Sequence, residues 1–196
     1  MTTSTALADT EDLAPYLAPG HFIDSDHPSI KAYAAEAAGD AKTEVDLARR
    51  LYYAVRDDLL YDPYGVPATP EGFRASACLA VRKGFCITKA ALLAACARAM
   101  GLAARVGYGD VRNHLATRKL LETMGSDLFV FHGYTDLHID GRWVKATPAF
   151  NKTLCERFGV KTLEFDGRTD SLFHPFDMSG RKHMEYVRQR GHYVDV

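Results

Sequence analysis

The sequence lacks any apolar run of about 18 residues, although 47% of its 196 residues are hydrophobic. A membrane-spanning helix needs about 20 predominantly apolar residues in succession, so none is predicted and no membrane contact is expected. Residues 1–9 also lack the basic start and the apolar stretch of a secretory leader. These absences together predict a cytoplasmic location.

An excess of one charge sign is also missing. The chain has 24 Lys and Arg residues against 25 Asp and Glu residues, which leaves a net charge of −1. Domains that bind nucleic acid usually carry a basic excess or a basic stripe. Nucleic acid is therefore not an expected partner, and the balance of charge gives no indication of an oligomeric state.

Cysteine is scarce, and its spacing excludes the common paired motifs. The sequence holds four cysteines, and no two of them form a Cys-x-x-Cys pair. This spacing argues against a zinc knuckle and against a thioredoxin-type redox site. Since no export is expected, free thiols are predicted rather than disulfides. The four are Cys78, Cys86, Cys96 and Cys155.

Residues of metal-binding type do occur near the C-terminus, but without a recognisable spacing. They are His174, Asp177, His183 and Glu185. Their separations match no zinc template, and the aspartates nearby do not form a calcium loop of the EF-hand type. The sequence therefore predicts neither a metal nor another cofactor.

Apolar spacing divides the chain into helices followed by strands. A stripe at helical spacing marks residues 43–57 as the clearest amphipathic helix. The other predicted helices cover 29–38, 73–80, 84–101 and a short stretch near 151–158. Predicted strands cover 103–111, 126–139 and 142–147, with an irregular arm over 1–27 and aromatic-rich loops over the rest of 150–196. Helices before an antiparallel sheet indicate an α+β fold, and the length favours one domain over 1–196.

The dipeptide Asp140-Gly141 predicts a tight hairpin between the last two strands. A two-residue turn places residue 139 opposite 142, so that Asp136 opposes Lys145 as a cross-strand charge pair. Alternation along the strand then assigns residues to two faces. One face carries His132, Tyr134, Asp136 and His138, and the core-facing one carries Phe129, Phe131, Leu137 and Ile139.

Cys86 lies where a glycine-containing loop turns into a predicted buried helix. The free N–H groups and partial positive charge of a helix N-terminus stabilise a thiolate, so a lowered thiol pKa is expected. The same N–H groups can hold the oxyanion that forms when a thiol attacks a carbonyl. A buried cysteine is more often a small apolar residue, and a nucleophile also needs a base, for which His132 and His138 are candidates.

Two segments, in this order, resemble the transglutaminase-like superfamily. In the first, GFCITKAALLAACARAMGLAARVGYGDV, a Gly-x-Cys opens a helix that leads on to a strand. The second, HGYTDLHIDGRWVKATP, is similar to the family's histidine strand, with the pattern H-x-W-x-E-(x)4-G-x-W-(x)3-D-P. The resemblance covers roughly residues 45–150. It implies a papain-related α+β fold in which a helix bearing the nucleophile packs on an antiparallel sheet, with 1–44 and 155–196 as elaborations.

The resemblance also assigns roles to residues. Cys86 matches the nucleophile, and its own N–H would help to bind the oxyanion. His132 matches the base, because it lies eleven residues before Trp143, as in the family's pattern. His138 does not match.

The position that orients the histidine departs from the family. Its aspartate falls on Thr147, whose hydroxyl can accept a hydrogen bond but cannot stabilise an imidazolium as a carboxylate does. Asn151, four residues on, is an alternative in the manner of Cys-His-Asn sites. Asp136, at the family's glutamate position, is another, and Tyr134 replaces the tryptophan after the histidine.

Substrate contacts are predicted at the end of the strand 103–111 and within the strand 126–139. Asp110 and Arg112 follow a predicted strand, where site residues frequently lie, and the planar guanidinium of Arg112 suits a carboxylate. Tyr134 and Asp136 are expected to face the same cleft. The implied chemistry is thiol-dependent: hydrolysis of an amide or ester, or acyl transfer to an amine, on a small molecule or peptide.

Two other classes of function remain open. A binding module with the same cleft and no turnover is favoured by Thr147. Redox sensing through Cys86 would need a partner thiol. Cys96 lies about 15 Å along the same predicted helix and cannot pair with Cys86. Cys78 can.

Overall fold

The computed structural model describes residues 11–67, 69–114, 118, 121–122, 125–173 and 177–196, so His174 lies outside it. The helices are α1 (Pro28–Ala38), α2 (Glu44–Asp58), α3 (Ala75–Val81), α4 (Cys86–Ala99) and α5 (Lys152–Phe158). The strands are β1 (Leu60–Tyr61), β2 (Lys83–Gly84), β3 (Ala104–Asn113), β4 (Leu128–Ile139), β5 (Arg142–Ala146) and β6 (Met184–Tyr193). No helix in these ranges is long and apolar enough to cross a membrane.

Helix α4 forms the centre of the molecule. It buries every residue from Thr88 to Arg98, as expected for a helix that is apolar nearly all round. Its many alanines allow other elements to approach closely, and it packs against α1, α2 and α3 as well as against the sheet. The Thr135 hydroxyl of β4 donates to the Ala90 carbonyl at 2.9 Å, which fixes the sheet against the helix.

A buried lysine joins α4 to the end of α2. Helix α2 begins at a Thr43 cap, whose hydroxyl accepts the N–H of Asp46 at 3.1 Å. At its other end, the Lys89 ammonium donates to the carbonyls of Arg56 at 2.9 Å and Leu59 at 2.7 Å. Lys89 is fully buried, and this burial lowers its pKa to about 7. The lysine therefore satisfies helix-end carbonyls that would otherwise lack partners.

The main sheet is antiparallel with the strand order β5-β4-β3-β6. The predicted hairpin register is confirmed, since Ile139 pairs with Arg142 and Asp136 with Lys145. The turn has φ of 48° at Asp140 and 80° at Gly141, the left-handed region that this dipeptide favours. The helices and this antiparallel sheet confirm the α+β fold class.

Three local predictions were wrong. Asp136 and Lys145 are strand neighbours but form no ion pair, because the Lys145 ammonium binds the Asp170 carboxylate at 3.3 Å instead. Phe131 is 44% exposed rather than in the core, because a β-bulge opposite Asp110 breaks the alternation of β4. Strand β6 was expected to be loop, since its charged residues and its glycine give no regular alternation.

The C-terminus is fastened to the N-terminal arm next to β6. The Asp195 carboxylate accepts the N–H groups of His21 at 2.6 Å, Phe22 at 3.1 Å and Ile23 at 2.9 Å. The buried Arg98 guanidinium donates to the carbonyl of Ala18 at 2.7 Å and to the carbonyl of Val194. These bonds join the segment that follows β6 to the N-terminal arm and thereby anchor the end of β6.

Replacing Asp195 with alanine removes the acceptor for these three N–H groups. We expect a loss of about 1–3 kcal/mol in the free energy of unfolding, the usual cost of partly buried donors without partners. Chemical denaturation measures it. Asp26→Ala, at an exposed position in the same arm, is the control and should change stability by less than about 0.5 kcal/mol. Equal values for the two variants would contradict the role given to Asp195.

Candidate active site

Cys86 is the first residue of α4, as the sequence predicts, although the helix begins two residues later than expected. The residue before it, Phe85, has no side-chain acceptor for the N–H groups of the first turn. The Thr88 hydroxyl instead accepts the N–H of Phe85 at 3.1 Å. No side chain therefore caps the first-turn N–H groups of α4, and those near the thiol stay available.

The backbone of β4 lies directly against this first turn. A Cβ atom built on Gly133 would lie 2.9 Å from the Ile87 Cα and 3.3 Å from the Cys86 carbonyl carbon. Only glycine permits so close an approach. His132 directly precedes Gly133 in β4, so the His132 backbone lies within one residue of the contact with the turn that carries the thiol.

The surroundings of the thiol do not lower its pKa. Burial raises the pKa of Cys86 above its ordinary value, and the N–H groups of Gly133, Ile87 and Cys86 itself offset the rise only in part. The expectation of a lowered thiol pKa is therefore wrong, because desolvation outweighs the helix end. Burial likewise lowers the pKa of His132 to about 4. At neutral pH the site holds an uncharged thiol and an uncharged imidazole.

Two tyrosines lie near enough to Cys86 to be affected by its charge. Burial, with a smaller contribution from the nearby Cys86, raises the pKa of Tyr61 on β1 and of Tyr108 on β3. Tyr61 reaches this position because β1 pairs with β2, which places it opposite Gly84. The Tyr61 ring packs edge-on against Phe150, with 4.7 Å between centroids. Tyr61 and Tyr108 therefore place aromatic side chains in the surroundings of the thiol.

Two of the predicted orienting residues lie at the end of β5. The Asn151 side chain is buried, accepts the N–H of Tyr61 at 2.9 Å and donates to the Thr153 hydroxyl at 2.6 Å. The hydroxyl oxygen of Thr147 is also buried, and it has no hydrogen-bond partner within the described part of the chain. Continuing the β4–β5 register places Thr147 opposite Tyr134.

Tyr134 and Asp136 take part in a different cluster. The His192 Nε2 atom lies 3.1 Å from the Tyr134 hydroxyl and 2.9 Å from an Asp136 carboxylate oxygen, which also accepts from Arg105 at 3.2 Å. The Tyr134 ring covers Gly107 on β3. Their engagement with β3 and β6 gives no support to the predicted substrate contacts or to Asp136 as the residue that orients His132.

Asp110 and Arg112 are likewise engaged with protein groups. The buried Asp110 carboxylate accepts from Arg190 at 2.5 Å and from the N–H of Phe131 at 3.2 Å. Arg112 is exposed and lies 3.4 Å from the carboxylate of Asp127. It is about 10 Å along β3 from Gly109, the residue paired with His132. Their roles as substrate contacts stay predictions.

Sequence reasoning did not identify Gly133 or Tyr108 as part of the site. A signal existed for Gly133, since an isolated glycine inside a strand often marks a close approach of another backbone. Tyr108 resembles a core aromatic in the sequence. Only the pairing of β1 with β2, two residues each, brings Tyr61 to the thiol.

A cysteine at the start of a buried helix, packed against the histidine strand of an antiparallel sheet, defines the class of transglutaminase-like folds. The family model described as the transglutaminase-like superfamily matches residues 31–148, more than half of the chain. The chain therefore belongs to the transglutaminase-like superfamily. The comparison with curated proteins finds no match.

One solved structure supports the fold. The chain is similar to a candidate cysteine protease from Cytophaga hutchinsonii, with 14% identity and a TM-score of 0.56, over 98% of this chain and 57% of that one. It also matches the periplasmic domain of TgpA from Pseudomonas aeruginosa bound to ethylmercury, with 22% identity and a TM-score of 0.46, over 74% of this chain and 50% of that one. The chain thus spans about half the length of these two neighbours.

Replacing Gly133 with alanine should raise the pKa of Cys86 further. The added Cβ displaces β4 from the first turn of α4, so the thiolate loses the N–H of Gly133. Iodoacetamide alkylation of Cys86 against pH, read by peptide mass spectrometry, reports the shift.

The matched control is Gly107→Ala, which crowds the Tyr134 ring instead of the helix end. Both variants should lose about 1–3 kcal/mol in stability through overpacking. Only Gly133→Ala should shift the pH profile of Cys86 alkylation. Identical profiles for Gly133→Ala and the native chain would show that this contact does not govern the thiol.

Proposed function

We propose that this protein catalyses thiol-dependent acyl transfer, with Cys86 as the nucleophile and His132 as the base. The observation that carries the proposal is the contact of the Gly133 backbone with the first turn of α4. It brings the residue after His132 against the residue that bears the thiol. Strand β5 pairs with β4 only as far as Thr135, so among the described strands the β5-side edge of β4 is open at His132.

The reaction proceeds through a thioester. The Cys86 sulfur forms a bond to the carbonyl carbon of an ester or amide while its proton passes to His132. The bond to the leaving oxygen or nitrogen then breaks, and His132 returns the proton to that atom. Water or an amine attacks the thioester, gives up its proton through His132 to the sulfur, and releases the product. Water gives hydrolysis, and an amine gives transfer.

The electrostatics of the site favour proton transfer during the attack over a preformed ion pair. Because the pKa of His132 is about 4 and that of Cys86 is raised, both groups are neutral at neutral pH. The N–H of Cys86 then supports the oxyanion, for which a dry, preorganised donor is most effective. A general base of this kind contributes roughly 100- to 10,000-fold to the rate.

Thr147 is the proposed partner of the His132 ring. Its hydroxyl is buried and without a partner in the described residues, whereas both ends of the Asn151 amide already have partners. A hydroxyl acceptor suits a neutral imidazole, which donates one N–H and needs no countercharge. The proposed substrate is an amide or ester of a small molecule or peptide. A cytoplasmic location stays a prediction.

A binding function without turnover is the second candidate. The observation that favours it is the threonine in the place of the family's carboxylate. Redox sensing through Cys86, with Cys78 as the partner thiol, has less support from the surroundings of Cys78. Its buried thiol donates to the Lys83 carbonyl at 3.4 Å, and burial raises its pKa to about 11, so little of the reactive thiolate forms.

The pH dependence of acetylation tests the Cys86–His132 pair. With p-nitrophenyl acetate as the acyl donor, we expect acetylation of Cys86 to rise through about pH 4, where His132 loses its proton, and then to reach a plateau. Thiolate formation adds to the rate only above the ordinary thiol pKa of about 8.5, because the pKa of Cys86 is raised. In His132→Ala the plateau should fall about 100-fold, and the rate should follow thiolate formation alone. Peptide mass spectrometry measures both profiles.

Two cysteine variants show whether the signal belongs to the site. Cys86→Ser should abolish rapid acetylation while the protein stays folded. Cys155→Ser removes another buried thiol, whose pKa is raised to about 11, and should leave the profile unchanged. A native plateau in His132→Ala would rule out His132 as the base and would move the binding function ahead.

Thr147→Val and Asn151→Ala separate the two orienting candidates. Valine keeps the shape of threonine, so Thr147→Val removes the buried hydroxyl without opening a cavity and should not lower stability. We expect Thr147→Val to lower the acetylation plateau about tenfold with unchanged stability. Asn151→Ala frees the Tyr61 N–H and should lower the free energy of unfolding by about 1–3 kcal/mol. A native acetylation plateau in Thr147→Val would show that Thr147 does not orient the His132 ring.

A further inference from the structure

Irregular pairing surrounds a single residue of β3. Opposite Asp110, β4 holds one residue too many, since Gly109 pairs with His132 but Val111 pairs with Phe129. On the other side, β6 shifts register between Tyr108 and Gly109 and again between Asp110 and Val111. Bulges therefore flank Asp110 on both neighbouring strands. Bulges re-aim side chains and are common beside active sites.

The Asp110 carboxylate holds both irregular strands. One of its oxygens accepts the N–H of Phe131 in the β4 bulge at 3.2 Å and the Nε–H of Arg190 in β6 at 2.5 Å. Asp110 is only 4% exposed, and the Arg190 guanidinium beside it lowers its pKa. The same guanidinium lies 4.3 Å from the centre of the Phe131 ring. The backbone and the ring of Phe131 are thus both fixed.

Phe131 has a conformation that its side chain disfavours. Its φ is +58°, the left-handed region, where a residue other than glycine loses roughly tenfold in population. The ring is 44% exposed, so burial of this side chain does not repay the strain. The residue that follows is His132. A strained backbone held by a buried carboxylate therefore sets the direction in which β4 presents its histidine.

We propose that Asp110 is a positioning residue: by holding Phe131 in the left-handed conformation, it fixes His132 at the Cys86 thiol. This role replaces the substrate contact predicted for Asp110 and rests on the function proposed above. Asp110 moves no proton and touches no reacting atom. Without its carboxylate, residue 131 relaxes to an ordinary strand conformation and the histidine turns away from the thiol.

The first test is the acetylation profile with p-nitrophenyl acetate. Asp110→Ala should lower the plateau at least tenfold, because the histidine no longer faces the thiol. Asp24→Ala is the matched control. Asp24 is equally buried and also accepts from an arginine Nε, that of Arg74 at 3.1 Å, and from a backbone N–H, that of Ser76 at 3.0 Å. The acetylation plateau of Asp24→Ala should stay within about twofold of the native value.

Backbone rescue separates positioning from general loss of structure. Asp110→Ala combined with Phe131→Gly should recover most of the plateau, because glycine adopts a φ of +58° freely. Asp110→Ala combined with Phe131→Ala loses the same ring but keeps the strain, and should not recover. Asp110→Asn keeps an acceptor for the Phe131 N–H and should retain the plateau within about threefold.

The acetylation plateaus of these variants distinguish failure of the positioning role from failure of the proposed function. A native plateau in Asp110→Ala, with the plateau lost in His132→Ala, overturns this inference and leaves the proposed function standing. Equal recovery by glycine and alanine at position 131 also overturns it. If His132→Ala keeps its plateau, the proposed function fails, and the positioning role fails with it. Should Asp110→Ala not fold, the Asp110→Asn variant decides: a plateau reduced tenfold or more would refute the role.

Discussion

The site depends on the approach of the β4 backbone to the first turn of α4 at Gly133. This approach has two causes in the sequence. The alanines of α4 present a helix surface with little side-chain depth, and Gly133 removes the one Cβ that would lie 2.9 Å from the Ile87 Cα. Thr135 then fixes the distance two residues further along, through its bond to the Ala90 carbonyl. The thiol and the histidine strand meet because the backbones pack, without any bond between their side chains being required.

Close packing has an electrostatic consequence for the same site. It leaves Cys86 and His132 only partly exposed to water, so both side chains prefer their uncharged forms. The N–H groups around the sulfur then stabilise charge chiefly as it develops during a reaction, which is where such groups raise a rate. The uncapped start of α4 fits this arrangement, since the Thr88 hydroxyl serves Phe85 and leaves the first-turn donors free.

Periodic features could be predicted from the sequence, and features that depend on competing partners could not. The stripe of α2, the apolar α4 and the Asp140-Gly141 turn each follow from local rules, and the hairpin register follows from the turn. Asp136 has the predicted strand neighbour but a different ionic partner, because Arg105 and His192 approach it from β3 and β6. Strand β6 and the Phe131 bulge have no local signature, since both arise from pairing with β3 around Asp110.

The departure at Thr147 agrees with the low pKa of His132. A carboxylate in hydrogen-bond contact with an imidazole favours its charged form and raises its pKa. An aspartate at position 147 would therefore oppose the desolvation that holds the His132 pKa near 4, and would favour an ion pair with Cys86. A threonine supplies an acceptor without that charge. Under the proposed function, the threonine is thus the residue expected for a pair that rests uncharged and transfers its proton during the attack.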